Sequence, residues 1–249
     1  NITVSAGTVL AGNDATVTVS VPNATGTVTI EVNGKSYDVE LDNGVATKDI
    51  PAADLVAGEN VVTATYNGPD FESNDNITSI SVLDGIVTND TFFNYFNASN
   101  SNRLCDYIPE GATLDFQGKF IGSSSVSYVM EINKPINMIS TTKDAYVDLD
   151  TVAEGMTGEN PGDRFIVSSG GSGSNISDIY FHNSQIWIDG AHNLNIDNFT
   201  SYVENQKIGS GVGVVAIRGG SSHIKFKNSY FYTKDNGGSS TFVLTNASY

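Results

Sequence analysis

Between Ile179 and Phe231 the alternation of apolar and polar positions repeats as a unit. Ile179-Tyr180-Phe181-His182-Asn183 leads to Gln185-Ile186-Trp187-Ile188. Leu194-Asn195-Ile196-Asp197-Asn198 leads to Thr200-Ser201-Tyr202-Val203, and Ile224-Lys225-Phe226-Lys227-Asn228 leads to Tyr230-Phe231-Tyr232-Thr233. Each is an apolar-x-apolar-x-Asn step followed by a second alternating run. A period of two marks a strand with one buried face. Short strands bent at corners and repeated predict a parallel β-helix, right-handed by the general rule for parallel crossovers. In this reading Asn183, Asn198 and Asn228 form one column, 15 and then 30 residues apart, with an insert from Glu204 to Gly213 filling the longer gap. Asn tolerates the left-handed backbone of a tight turn, and stacked amides can form a ladder.

Residues 1–83 have another grammar. Alternating runs occupy Ala15–Val21, Gly26–Val32, Ser36–Leu41, Val45–Ile50, Asn60–Tyr66 and Asn76–Leu83. Between them lie Pro22-Asn23, Asn33-Gly34, Asn43-Gly44, Ala57-Gly58 and Asn67-Gly68. Asn-Gly between alternating runs is a hairpin signal, because both residues accept positive φ. Short strands with turns at this spacing predict a β-sandwich. The boundary falls near Leu83-Asp84-Gly85, so 84–249 form the second module.

That module opens with Asn89-Asp90-Thr91-Phe92-Phe93-Asn94-Tyr95-Phe96, the one segment with helical spacing of aromatics. A helix within about 88–107, capped by Thr88, Asn89 or Asp90, would cover the open end of the first coil with Phe92, Phe93 and Phe96. The fold class expected is therefore all-β: a sandwich, then a parallel β-helix with an N-terminal capping helix.

Charge narrows the partners. Asp and Glu total 28 against 12 Lys and Arg, a formal charge of −16. Nucleic acids and anionic membranes need clustered basic residues, so neither is an expected partner. A charged fraction of only 16% leaves Asn, Ser, Thr and Gly to supply most of the polar surface, as suits an extracellular protein. No apolar window is long enough for a membrane-spanning helix. Asn1 opens directly into a strand pattern without a leader. The single Cys105, beside Leu104 and Tyr107, reads as a small buried residue. Asn-x-Ser/Thr acceptors occur at Asn23, Asn76, Asn89, Asn97, Asn175, Asn198 and Asn246, as a chain rich in these residues also produces by chance.

Two stretches carry a resemblance. Leu55-Val56-Ala57-Gly58-Glu59-Asn60-Val61-Val62-Thr63-Ala64-Thr65-Tyr66-Asn67-Gly68 resembles the end of bacterial and archaeal surface Ig-like repeats. There a Gly-x-Asn turn leads into a strand ending in Tyr. The repeat region, with Ile132-Asn133-Lys134-Pro135-Ile136-Asn137, Asn160-Pro161-Gly162-Asp163-Arg164-Phe165, Gly209 to Val214 and Asn228 to Ser240, resembles the adhesin-like surface proteins of methanogenic archaea. The resemblance implies an excised, C-terminally truncated piece of a cell-surface adhesin. Its implied partners are surface glycans or proteins of other microbial cells, and association is monomeric or weakly end to end. The alternatives are a polysaccharide lyase or glycoside hydrolase on the same scaffold, and a structural wall component.

The candidate ligand site is an aromatic column. Aligning the repeats places Trp187, Tyr202 and Tyr232 in one outward stripe, whose flat faces would stack on sugar rings, with Gln185, Thr200 and Tyr230 adding hydrogen bonds. No catalytic residues are expected. Asp148, Asp150, Asp163 with Arg164, Asp178, Asp189, Asp197 and Arg218 form no column with the repeat, and Asp189 with His192 makes a lone acid–imidazole pair at a corner. No cofactor is expected. Asp70, Glu72, Asn74 and Asp75 alternate as calcium ligands do, but without EF-hand spacing, and read as a solvated acidic turn.

Overall fold

The computed structural model describes residues 1–122, 126, 128–149, 164–204, 213–234 and 240–245. The fold is all-β, and the chain divides into two compact units, Asn1–Gly85 and Ile86–Tyr249.

The first unit contains β1 (Thr3–Ala6), β2 (Thr8–Leu10), β3 (Ala15–Ser20), β4 (Thr27–Val32), β5 (Lys35–Glu40), β6 (Val45–Ile50), β7 (Gly58–Tyr66) and β8 (Asn74–Leu83). The last six coincide with the alternating runs, give or take a few residues at the ends. Gly7 separates β1 and β2, which join different sheets: β1-β3-β6, all antiparallel, and β2-β8-β7-β4-β5, antiparallel except for β2 beside β8. Period-two patterning fills the space between them. Val17, Val19 and Ile50 from one sheet meet Val28, Ile30, Val62 and Ile80 from the other in a single apolar core. Asn33 and Gly34 take φ of 50° and 76° between β4 and β5, the double positive φ that a two-residue hairpin demands.

Asn67-Gly68 plays a different part. β7 and β8 do pair as a hairpin, with Tyr66 opposite Asn74, but through the longer loop 67–73 rather than a two-residue turn, and that loop closes on Tyr66. A Cβ on Gly68 would lie 2.3 Å from the Tyr66 hydroxyl and 2.4 Å from the Thr25 carbonyl, so only glycine lets the loop pass. Asp70 then accepts from the Thr25 amide at 2.6 Å and the Thr25 hydroxyl at 2.7 Å. The Asp70 carboxylate, read from the sequence as part of a solvated acidic turn, ties two loops together. Among the described residues no cluster of three His, Cys, Asp or Glu side chains gathers.

Those hydrogen bonds, led by the Thr25 hydroxyl, hold the Asp70 carboxyl below its ordinary value. A depressed folded-state value means a contribution that is present above the unfolded value, about 3.9, and lost as pH falls through the folded one. Asp70→Asn is expected to lower the urea midpoint of the sandwich at pH 7, and the gap to the parent should narrow by pH 3. An equal gap at both pH values would show that the charge is irrelevant.

The second unit is built from three parallel sheets that the chain visits in rotation. The first contains Ile86–Val87, Thr113–Phe116, Asn137–Ile139, Asn175–Ser177, His192–Asp197 and Ser222–Lys227. The second contains Lys119–Ile121, Tyr146–Asp148, Tyr180–His182, Thr200–Val203 and Tyr230–Thr233. The third contains Phe96–Asn97, Arg103–Leu104, Met130–Ile132, Arg164–Ser168, Gln185–Asp189, Gly213–Arg218 and Ser240–Leu244. Neighbours within each sheet run parallel, except that Phe96–Asn97 opposes Arg103–Leu104. Inward residues pack across the sheets. Phe165, Phe181 and Phe199 form one continuous run, with ring centroids 4.8 and 5.4 Å apart.

Three strands per circuit, rather than two, correct the Asn column. Asn198 and Asn228 do share a corner, between the first and second sheets, with φ of 47° each. Their third member is Asp178 (φ 60°), not Asn183. Asn198 Nδ2 donates to Asp178 Oδ1 at 2.6 Å, and Asn228 Nδ2 donates to Asp197 Oδ1 at 2.8 Å. Asn183 turns the next corner, between the second and third sheets, where its Oδ1 accepts from the Glu204 amide at 3.0 Å. The amide ladder itself lies on a strand face. Asn195 donates to Asn175 at 3.2 Å, and Asn175 donates to Asn137 at 2.8 Å.

The predicted capping helix contracts to one turn, Phe92–Tyr95, with Thr91 at its N-cap. Four residues suffice because the segment is held by its rings, not by helical propensity. Phe92 and Phe96 are buried, stack at 4.6 Å and pack on Phe120 and Phe116. Phe93 remains 45% exposed, leaning on Tyr128. Cys105 is buried as expected. At the far end, Phe242 and Leu244 pair with inward Val215 and Ile217 yet stay 37% and 51% exposed. Tyr249 lies outside the described residues.

Candidate functional site

The aromatic residues separate onto two sheets. Trp187 belongs to the third sheet, between Ile166 and Ala216. Tyr202 and Tyr232 belong to the second, directly paired. The expected Trp187–Tyr202–Tyr232 column is therefore corrected: Trp187 sits in the strand that follows Asn183, one corner further round the circuit than the strands that follow Asn198 and Asn228.

What the second sheet does present is a two-column ladder. One column runs Lys119, Tyr146, Tyr180, Thr200, Tyr230; the next runs Ile121, Asp148, His182, Tyr202, Tyr232. Alternation sends Phe120, Val147, Phe181, Ser201 and Phe231 to the other face. Tyr146 stacks on Tyr180 at 5.3 Å and 12°, and Tyr202 on Tyr232 at 4.6 Å and 15°. His182 lies between, 5.6 Å from Tyr146 and 6.1 Å from Tyr202. Rings stacked along the sheet turn their faces toward one another and their edges and hydroxyls outward. Exposure is greatest at the two ends of the ladder, 50% at Ile121 and 55% and 36% at Tyr230 and Tyr232, with Tyr146, Tyr180 and Tyr202 half-buried between them.

Polar groups are fixed within this face. His182 Nδ1 lies 2.8 Å from Asp148 Oδ2. The Tyr202 hydroxyl bonds the Glu204 carboxylate, which raises the phenol above its ordinary value. Burial first, and then the Asp148 charge, raise Tyr146. Lys119 Nζ sits 5.6 Å above the Tyr146 ring.

Trp187 has its own setting. The Arg164 guanidinium lies 3.6 Å and that of Arg218 4.3 Å from its ring centroid, so its faces are covered by cations. Burial and the neighbouring Arg218 bring Arg164 down to about 10. Arg218 pairs with Asp189 at 3.4 Å. Gln185, expected as an exposed donor, is buried. The other acidic candidates scatter. Asp178 and Asp197 serve corner hydrogen bonds, and His192 pairs with the Ser222 hydroxyl at 2.8 Å, not with Asp189. Asp150 and Asp163 lie outside the described residues.

Among the glycosylation candidates, Asn23, Asn76, Asn89, Asn97 and Asn175 are exposed, as is Asn198, whose acceptor sequence is set aside for its place in a stacked turn. Asn175 and Asn198 are engaged in the ladder and corner bonds above, and Asn97 accepts from the Ser99 amide at 3.0 Å. Asn246 lies outside the described residues.

The pattern of alternation alone did not reveal the inward serines. Ser174, Ser184 and Ser221 accept from the Ile136, Leu149 and Ala191 amides of the neighbouring circuit at 3.1, 2.9 and 3.0 Å. A small polar residue just after a corner is their only trace in the sequence. No protein-family model, curated protein or solved structure matches the chain.

Proposed function

We propose that the chain is part of an extracellular adhesin. In this reading the first unit is an Ig-like spacer. The second is a right-handed parallel β-helix whose Tyr-rich sheet makes contact with glycans or proteins of other cells. The observation that carries the reading is the ladder Tyr180–Tyr202–Tyr230–Tyr232, an aromatic face left open on strands whose register is fixed by their neighbours. Open aromatic patches of this kind mark interaction surfaces. The net charge of −16 and the resemblance to methanogen adhesin-like proteins support a cell-surface setting. Catalysis and a bound cofactor form no part of the reading.

Attachment of the purified chain to immobilised microbial cells tests it. Tyr202→Ala with Tyr232→Ala should reduce attachment at least tenfold while the circular dichroism spectrum is retained. Trp187→Ala, on another sheet with its faces already covered, should leave attachment within about twofold. The reverse pattern would move the contact surface to the third sheet.

A carbohydrate-active enzyme is the second reading, favoured by the Asp148–His182 pair on the same open face. Its signature would be new reducing or unsaturated ends after incubation with polysaccharides, abolished by His182→Ala.

A further inference from the structure

Resting on that reading of the second sheet as the contact surface, we propose that it recognises a neutral polysaccharide chain joined through equatorial bonds. The chain lies along the direction in which the strands stack. Three features of the face select this ligand.

The first is its repeat. Strands are spaced about 4.8 Å apart, so a polymer crossing them meets equivalent groups once per strand. The ring separations of 5.3 Å for Tyr146–Tyr180 and 4.6 Å for Tyr202–Tyr232 follow that spacing. A pyranose chain joined through equatorial 1→4 bonds advances by close to one strand spacing per sugar, and because alternate sugars are turned over, like groups return to register at every second strand. An extended peptide repeats its same-side groups only every two residues, roughly 6.7 Å, and falls out of register within two strands. Tyr146 and Tyr232 lie on the first and last of four adjacent strands, about 14 Å apart, which matches about three sugars.

The second feature is what each ring offers. Each stacked pair hides the faces its two rings share, so a sugar cannot lie flat within a pair. It meets ring edges and a row of phenolic hydroxyls, each able to donate and accept. His182 stands in the same row with Nδ1 engaged by Asp148. Because the rings are already ordered by their neighbours, little side-chain entropy remains to be lost on binding.

The third is charge. Asp148 and Glu204 lie within the face and Lys119 stands only at one end, so an acidic polymer is repelled along most of its length.

Titration calorimetry of the intact chain with four hexasaccharides tests the proposal. Cellohexaose and β-(1→4)-mannohexaose, neutral with equatorial linkages, should bind. Maltohexaose, with axial linkages, and hexamannuronate, equatorial but acidic, should bind at least tenfold more weakly. Tyr202→Phe with Tyr232→Phe removes two hydroxyls but keeps the stack, and should weaken cellohexaose about three- to tenfold. Equal binding of maltohexaose, or tighter binding of hexamannuronate, overturns the assignment. If no hexasaccharide binds while cell attachment still depends on Tyr202 and Tyr232, the assignment falls, the surface reading stands, and a protein partner takes its place. If neither assay responds, both fall.

Discussion

Replacing Phe181 by alanine is expected to lower the melting transition of the second unit by roughly 10 °C and to leave that of the first in place. Phe181 is fully buried on the second sheet, between Phe165 and Phe199 in the inward stack. Deleting a ring in such a position costs about 3–5 kcal/mol, because the neighbours close the cavity only in part. In a unit of this size each kcal/mol corresponds to about 2–4 °C. The first unit has its own core and shares none of these rings. Differential scanning calorimetry should resolve the shift in one transition alone. A uniform shift of both would mean that the units melt as one. Tyr180 and His182 flank Phe181 on the same strand and point the other way, so this variant should also loosen the tyrosine ladder and weaken attachment.

The period-two pattern carried most of the fold because it is the pattern that burial enforces. Phe181, Ile196 and Phe226 each sit two residues from another apolar position, and each is turned away from the solvent-facing row. Which sheet each strand joins was harder to read. Circuit length varies, with 38 residues from Asn137 to Asn175 and 20 from Asn175 to Asn195, so a spacing of 15 could pass for a full repeat. Asn183 and Asn198 carry the same signature, an Asn with positive φ after an alternating run, because both turn corners. Local chemistry says that a corner is present and is silent on which one.

The same ambiguity governed the candidate site. Tyr202 and Tyr232 belonged together because the runs before them, Leu194–Asn198 and Ile224–Asn228, occupy the same sheet. Trp187 was displaced by one strand. His182, Tyr146 and Tyr180 went unclaimed, although they extend the ladder, because their alignment depends on a three-strand circuit. The stacking of the rings on one another was hidden for a separate reason. Parallel strands place like side chains one strand spacing apart, and that distance favours stacking of the rings on each other. Likewise, a short amphipathic aromatic run predicts a helix, yet Phe92 and Phe96 are positioned by Phe116 and Phe120, which come later in the chain.

Asn60→Ala is expected to destabilise the first unit by more than about 3 kcal/mol, an effect comparable to emptying its core. Asn60 is almost wholly buried at the start of β7, in the Gly-x-Asn turn. Its Oδ1 accepts from the Val56 amide at 2.9 Å and from Asn33 Nδ2 at 2.7 Å. Its Nδ2 donates to the carbonyls of Val56 at 2.8 Å and Gly58 at 3.1 Å, and approaches that of Ile80 at 3.3 Å. One side chain therefore satisfies the backbone of a turn, a neighbouring strand and the Asn33-Gly34 hairpin. Truncation leaves several of these groups without partners, and each buried orphan costs about 1–3 kcal/mol. Asn60→Asp separates the two halves of the amide. It keeps the acceptor for Val56 and Asn33 but places a carboxylate against three carbonyl oxygens. It should therefore be at least as damaging at pH 7 and partly recover near pH 4, where protonation restores a donor. Urea unfolding of the isolated variants at both pH values would measure this. An alanine variant within 1 kcal/mol of the parent would show that water replaces the amide without cost.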